Sequence, residues 1–152
     1  MNFNSKFLQE LEQRGFISQI THQQELDNVL SSASISAYIG FDCTAKSLHV
    51  GSLMQIMILR LLEKHGHKAI VLLGGGTTKI GDPSGKDEAR QVLSEEKIGE
   101  NLSGIEKTIR KFSYLENAKF VNNDDWLRGL NYIEFLRDFG RHFSINRMLT
   151  FD

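Results

Sequence analysis

Cysteine and proline are almost absent from this 152-residue chain, with one of each, Cys43 and Pro83. A single cysteine excludes an internal disulfide and a cysteine-cluster zinc site, and it fits a reducing compartment. Long hydrophobic runs are missing: no stretch approaches about 18 uncharged apolar residues, so no membrane span is expected. An excess of either charge is missing as well. Lys plus Arg total 18 against 19 Asp plus Glu, a formal net charge of −1. That balance gives no field for gripping a polyanion, so this segment alone does not read as a nucleic-acid binder. The N-terminal MNFNSKFLQELEQRG has Glu10 and Glu12 in a helical pattern, unlike a secretory or transit peptide. A cytoplasmic protein without a membrane partner is the expectation. Repeats, low-complexity tracts and linkers are also lacking.

What remains is ordinary globular material: 40% hydrophobic and 24% charged residues, at a length of about one domain, enough to bury a core. Phe3, Phe7, Leu8 and Leu11 stand at helical spacing within residues 3–14, and Gly15 reads as the helix end. Thr21 is placed to cap a second helix over 23–31. Residues 35–41 alternate Ile35, Ala37, Ile39 and Phe41 with other side chains, as a strand does. Residues 52–65 form a nearly all-apolar helix ended by Gly66, and KAIVLL at 68–73 reads as a strand buried on both faces. Strand, helix and strand in about 40 residues is a right-handed βαβ unit. A long helix starts at Ser94–Glu96 with Ile98, Leu102, Ile105, Ile109 and Phe112 on its apolar face. A third strand is expected at 118–121, then the polar turn NNDDW, then a helix at 131–139. Residues 1–33 are thus a helical segment, and 34–152 part of an open α/β sheet domain. The final HFSINRMLTFD carries no stop signal and reads as cut rather than finished.

Two corners stand at strand ends. The first, YIGFDCTAKSLHVG from Tyr38 to Gly51, joins a strand to a helix entered at a glycine, and His49 sits at its mouth. Free N–H groups and the positive end of the helix dipole make such a corner welcoming to an anion. The second, GGGTTKIGDPSGK at 74–86, holds five of the thirteen glycines and the lone proline; such density marks a backbone that bends sharply or approaches a ligand. Neither generic phosphate motif fits. The P-loop spacing at Gly76–Gly81 meets Asp82 where lysine belongs, and a dinucleotide fingerprint from Gly74 meets Lys79 where its third glycine belongs. Asp42 and Asp82 fall at strand carboxyl ends, where ligand groups sit. Lys86 and Arg90, spaced i, i+4 beside the glycine loop, suit a phosphate chain or a solvated helix face. His49 reads as a phosphate contact or a surface histidine, and Trp126 as packing.

The motifs YxGFDxTAxSLHxGx, LxGGxTxxIGDPSGK and NNxDW, in this order, closely resemble the bacterial type of tyrosyl-tRNA synthetase, a family of class I aminoacyl-tRNA synthetases. The likeness runs from LxxRG at Leu11 to FLRDFGRHFSIN at 135–146. It implies a Rossmann-like open parallel sheet with helices on both faces, the N-terminal half of a catalytic domain. It also implies condensation of L-tyrosine with ATP, magnesium accompanying the ATP, and transfer of the tyrosyl group to tRNA(Tyr). Cys43 to Ser52 matches the His-Ile-Gly-His signature region. The resemblance assigns ATP contacts to Gly40, Asp42, His49, Gly51 and Ser52, with Gly51 letting adenine lie close. Thr44, His49, Lys86 and Arg90 become the groups acting on the phosphates. Tyr38, Thr77, Asp82 and Asn123 become the tyrosine pocket. No protein-held metal is implied, and a homodimer is.

The sequence departs from the family at three positions. Ser52 replaces the second signature histidine and could cap the helix or reach ribose. Cys43 stands for the usual proline, and Ile39 for a frequent cysteine. The lysine-rich second signature and the C-terminal tRNA-binding domain are not in the sequence, so the chain alone is expected to be inactive. Two alternatives stay open: another HxGx adenylyl-transferring enzyme, of tryptophan-synthetase or nucleotidyltransferase type, and a non-catalytic dimerising piece.

Overall fold

A computed structural model gives the protein's structure, and it describes residues 2–80, 93–112, 115 and 117–150. Its helices are α1 (Lys6–Gln13), α2 (Gln23–Ser32), α3 (Val50–Lys64), α4 (Gly75–Ile80), α5 (Glu95–Phe112), α6 (Asp124–Leu127), α7 (Tyr132–Asp138) and α8 (Ile145–Met148), with a short 3-10 turn at Gly140–His142. Its strands are β1 (Ser36–Asp42), β2 (Lys68–Gly74) and β3 (Lys119–Asn122). The strands are parallel in the order β1-β2-β3, with Ile39 opposite Val71 and Val71 opposite Phe120. This is the expected α/β Rossmann-like open sheet.

Both crossovers step the same way across the sheet, so right-handedness puts α3 and α5 on one face. Side-chain alternation agrees. Phe41 on β1 and Ala69, Val71 and Leu73 on β2 are buried on that face with Ile56, Leu59 and Leu62 of α3 and Ile98, Ile105 and Ile109 of α5. Ile70 and Leu72 point the other way and are half-buried; Tyr38, Gly40 and Asp42 are exposed. Phe7, Leu8 and Leu11 of α1 and Leu30 of α2 join the same core, so the N-terminal helices cover one edge of this layer.

Local chemistry sets most helix ends. Ser5 caps α1, and the buried Asp27 carboxylate accepts from the N–H groups of Asn4 and Ser5 at 2.9 and 2.8 Å, tying α2 to the start of α1. Those bonds hold its pKa below the usual carboxylate range. Gly15 and Gly66 follow α1 and α3 with φ of +73° and +86°, left-handed positions that glycine adopts without a Cβ clash. The second helix differs from expectation: its N-cap is His22, at φ 50°, without a side-chain cap bond, rather than Thr21. The second corner differs too, because Gly75–Ile80 coils into α4 instead of remaining a loop.

Residues 130–150 behave unlike the rest. They form α7, the 3-10 turn and α8, yet Ile133, Phe135, Leu136, Phe139, Phe143 and Leu149 are all exposed. No helix among the described residues is long and apolar enough to cross a membrane.

Candidate active site

Alternation along β1 brings Tyr38, Gly40 and Asp42 out on one face of the strand, with Tyr38 66% exposed. Nothing lies within 4 Å of where a Gly40 side chain would start. The backbone then leaves the strand at Cys43 and runs without regular structure to His49, the N-cap of α3. The His49 ring accepts the Gly51 N–H on Nδ1 at 3.0 Å. A neutral ring therefore carries its proton on Nε2, as a donor available to a ligand. Gly51 also has a structural task beside the adenine approach that the resemblance implied. A Cβ there would stand 2.8 Å from His49 Cε1 and 2.9 Å from Nδ1, so glycine makes room for the imidazole cap. Ser52 is also reassigned: it is buried and does not cap α3, since His49 does, although it borders the cleft. That cleft, of about 430 Å³, is lined by Gly40, Asp42, Thr44, Ser47, His49 and Ser52 among others.

The end of β2 lies beside it. Asp42 pairs in register with Gly74, and an added Gly74 Cβ would stand 3.2 Å from the Asp42 carboxylate. The two corners share a bond, from the Cys43 N–H to Thr78 Oγ1 at 3.0 Å. Asparagines from the end of β3 hold α4 from outside its own sequence. Asn122 Oδ1 accepts the Gly75 N–H at 3.2 Å, and Asn123 Oδ1 accepts those of Gly76 and Thr77 at 2.7 and 3.4 Å. The Asn123 amide also donates to Thr77 Oγ1 at 3.0 Å. Thr77 and Asn123 are thus side by side and bonded to each other. Asp82, Lys86 and Arg90 lie outside the described residues.

Several groups escaped sequence reasoning. Lys79 reaches Asp124 at 2.9 Å and Glu95 at 3.1 Å, and Arg128 reaches Asp124 at 2.7 Å, an ion cluster joining α4, α5 and α6. Lys79, and after it Arg128, holds the Asp124 carboxyl below its ordinary pKa. Asn101 is buried and donates to the Cys43 carbonyl at 2.9 Å. Its signal was present: a polar residue between Ile98 and Ile105 on an apolar helical stripe. Cys43 itself is fully buried, and that burial, helped by the Asp42 charge, raises its thiol to about 11. It is no nucleophile at neutral pH. Two other clefts lack this polar set. One, of about 380 Å³, has largely apolar walls between the N-terminal helices and β1; the other, about 570 Å³, lies beside the Lys79 cluster. Among the described residues no group of three or more His, Cys, Asp or Glu could hold a metal ion.

A parallel sheet whose polar corners meet at the carboxyl ends of adjacent strands defines an open α/β domain, the architecture in which ligands commonly bind at the sheet's crevice. The chain belongs to the class I tRNA synthetases of the tryptophan and tyrosine type: the family model described as "tRNA synthetases class I (W and Y)" matches residues 30–152. It is 59% identical over 152 residues to the tyrosine–tRNA ligase of Pelagibacter ubique and 60% identical to that of Rhodospirillum rubrum. Each match takes in 97% of this chain, but only 37% and 36% of those longer proteins. Among solved structures it resembles a C-terminally truncated mitochondrial tyrosyl-tRNA synthetase of Aspergillus nidulans, at 27% identity and a TM-score of 0.83. That match covers 96% of this chain and 45% of the other.

Proposed function

We propose that this chain is the front part of the catalytic domain of a tyrosine–tRNA ligase, with residues 1–33 as a helical cover and 34–152 as part of the nucleotide- and tyrosine-binding sheet. The observation that carries the reading is His49. It caps α3 through Nδ1, so its Nε2 is free to donate beside Thr44 at the positive end of a 15-residue helix, where anions are stabilised. The identities to longer ligases support tyrosine over tryptophan as the amino acid, and the exposed Tyr38 hydroxyl suits hydrogen bonding to a phenol.

In this reading a tyrosine carboxylate oxygen attacks the α-phosphorus of ATP. The bond from that phosphorus to the bridging oxygen breaks, and pyrophosphate leaves with the electron pair, its charge met by the magnesium that ATP brings. The carboxylate is already ionised, so no general base is required. Catalysis is placement plus stabilisation of growing charge. His49 and Thr44 donate to the phosphates, and Lys86 and Arg90 close on the pyrophosphate. Asp42 and Gly40 lie along the adenylate, Asp82 holds the ammonium group, and Thr77 and Asn123 wall the pocket. A tRNA hydroxyl then takes the tyrosyl group and AMP leaves. A cytoplasmic homodimer, with tRNA bound through regions outside these 152 residues, completes the proposal.

Pyrophosphate exchange dependent on tyrosine and ATP tests it. The 152-residue chain is expected to bind Mg-ATP weakly and to exchange no pyrophosphate; a turnover of about 1 s⁻¹, ordinary for a whole enzyme, overturns that expectation. If tryptophan were preferred over tyrosine, the amino-acid assignment would fail. One observation favours a second reading, a non-catalytic dimerising piece: the many exposed apolar side chains between Ile133 and Leu149. Dimers in sedimentation, with no heat on mixing with ATP or tyrosine, would favour it.

A further inference from the structure

Residues 43–48 form neither helix nor strand, so something else must fix the backbone that delivers Thr44 and His49 to the cleft. Both polar groups of Cys43 are held by side chains from other elements: its N–H by Thr78, and its carbonyl by Asn101 Nδ2 at 2.9 Å. Three residues of α5 meet this loop. Glu100 pairs with Lys46 Nζ at 2.9 Å, Asn101 holds Cys43, and Gly104 sits against the Lys46 carbonyl. A Cβ on Gly104 would stand 2.3 Å from that oxygen. Asn101 is 1% exposed, and its Oδ1 has no hydrogen-bond partner among the described residues. Packing alone would favour a leucine there, because a buried acceptor without a donor is unfavourable. The bond to Cys43 is what the amide contributes.

We propose that Asn101 and Gly104 are positioning residues for the nucleotide corner: α5 sets the path of Cys43–Leu48, and through it the presentation of Thr44 and His49. The nucleotide part rests on the function proposed above. Gly104→Ala and Gly99→Ala separate positioning from stability. Both replace a glycine within α5 and bring the same gain in helix propensity, but a Cβ on Gly99 meets nothing within 4 Å. Amide exchange of the ligand-free chain, followed by NMR, is expected to speed up about tenfold at Lys46–Leu48 in Gly104→Ala and in Asn101→Leu, and not in Gly99→Ala. The Gly51 amide resonance, which reports its bond to His49, should move in the same two variants. In a Mg-ATP titration, at a temperature where all three variants are folded, their Kd should rise about fivefold or more over that of Gly99→Ala. Equal exchange and equal Kd in Gly104→Ala and Gly99→Ala overturn the inference, whatever Asn101→Leu does to folding. If the wild-type chain binds no ATP, the nucleotide reading fails instead. The positioning by α5 then stands or falls on the exchange data.

Discussion

The corner after β1 and the corner after β2 are made of similar residues, small and polar behind a parallel strand, yet they use them in opposite ways. In the described part of the second corner, residues 74–80, the polar side chains are spent inside the protein: Asn122 and Asn123 bind the start of α4, Thr78 binds Cys43, and Lys79 binds Asp124. In the first corner Asp42, Thr44 and Ser47 border the cleft, with no hydrogen-bond partner for their side chains among the described residues. A self-satisfied corner is scaffold and owes its shape to its own bonds. An open corner has hydrogen-bonding capacity left for a ligand, and its shape is imposed from outside, here by α4 and α5. Substitutions of the bonded side chains Thr78 and Asn123 should therefore cost stability first, and those of the unbonded side chains in the first corner should cost binding.

The largest expected effect follows from Asn123→Ala. It removes the acceptor of the Gly76 and Thr77 N–H groups and the donor to Thr77, and should cost about 3 kcal/mol, read as a lower urea midpoint at unchanged slope. Thr44→Ala, in the open corner, should stay within about 0.5 kcal/mol. If the two cost the same, the contrast between the corners is wrong. Thr78→Val comes next, at about 2 kcal/mol, because it leaves the buried Cys43 N–H without an acceptor. Its effect should also appear in the first corner, as faster amide exchange at residues 44–48.

Acid should weaken the second corner. Lys79 and Arg128 depress the Asp124 pKa in the folded protein, so its ionised form is favoured by folding. That contribution is complete above the ordinary aspartate pKa of about 4 and is lost as pH falls through the lower folded value. Glu10 adds to the same window. Bonds from Lys64, His65 and Arg14 lower its pKa from 4.5 to about 2, so the clasp between α1 and α3 weakens between those values. The melting temperature should fall on acidification from pH 5 to pH 2, and more gently in Asp124→Asn and Glu10→Gln. An unchanged slope in Asp124→Asn would show that the ion cluster adds nothing to the corner.

Much of this was legible in the sequence, for a physical reason. Hydrophobic period reports burial, so the strands at 36–42 and 68–74 and the helices at 50–64 and 95–112 were readable to within a residue or two. The first corner was readable as well, because an anion-facing helix start needs only local features, a strand, a polar turn and a glycine. The second was misread as loop. Gly75 and Gly76 are poor helix formers, and the asparagines that compensate lie about 47 residues away along the chain. No local rule sees a cap delivered from another strand. Asn101 was passed over because apolar stripes are read for what is apolar, although its place on the stripe was the clue. The helix at 132–138 was found, and its apolar residues are exposed: period says which face seeks a partner, and not whether one is present.

The smallest expected effect on stability tests the open corner most directly. His49 has two separable jobs, capping α3 through Nδ1 and presenting Nε2–H to the cleft. Asparagine is among the best N-cap residues, and its Oδ1 can accept the Gly51 N–H that the imidazole now takes. His49→Asn should therefore change stability by no more than about 0.5 kcal/mol, with a slight gain as acceptable as a slight loss. The shorter amide reaches the phosphate position poorly and lacks the ring. Mg-ATP affinity should consequently fall about tenfold or more, while Asn123→Ala, measured at a temperature where it stays folded, loses proportionately less of that affinity than of its stability. If His49→Asn bound ATP as tightly as wild type, His49 would be a helix cap and nothing else. The corner after β1 would then be scaffold of the same kind as the corner after β2.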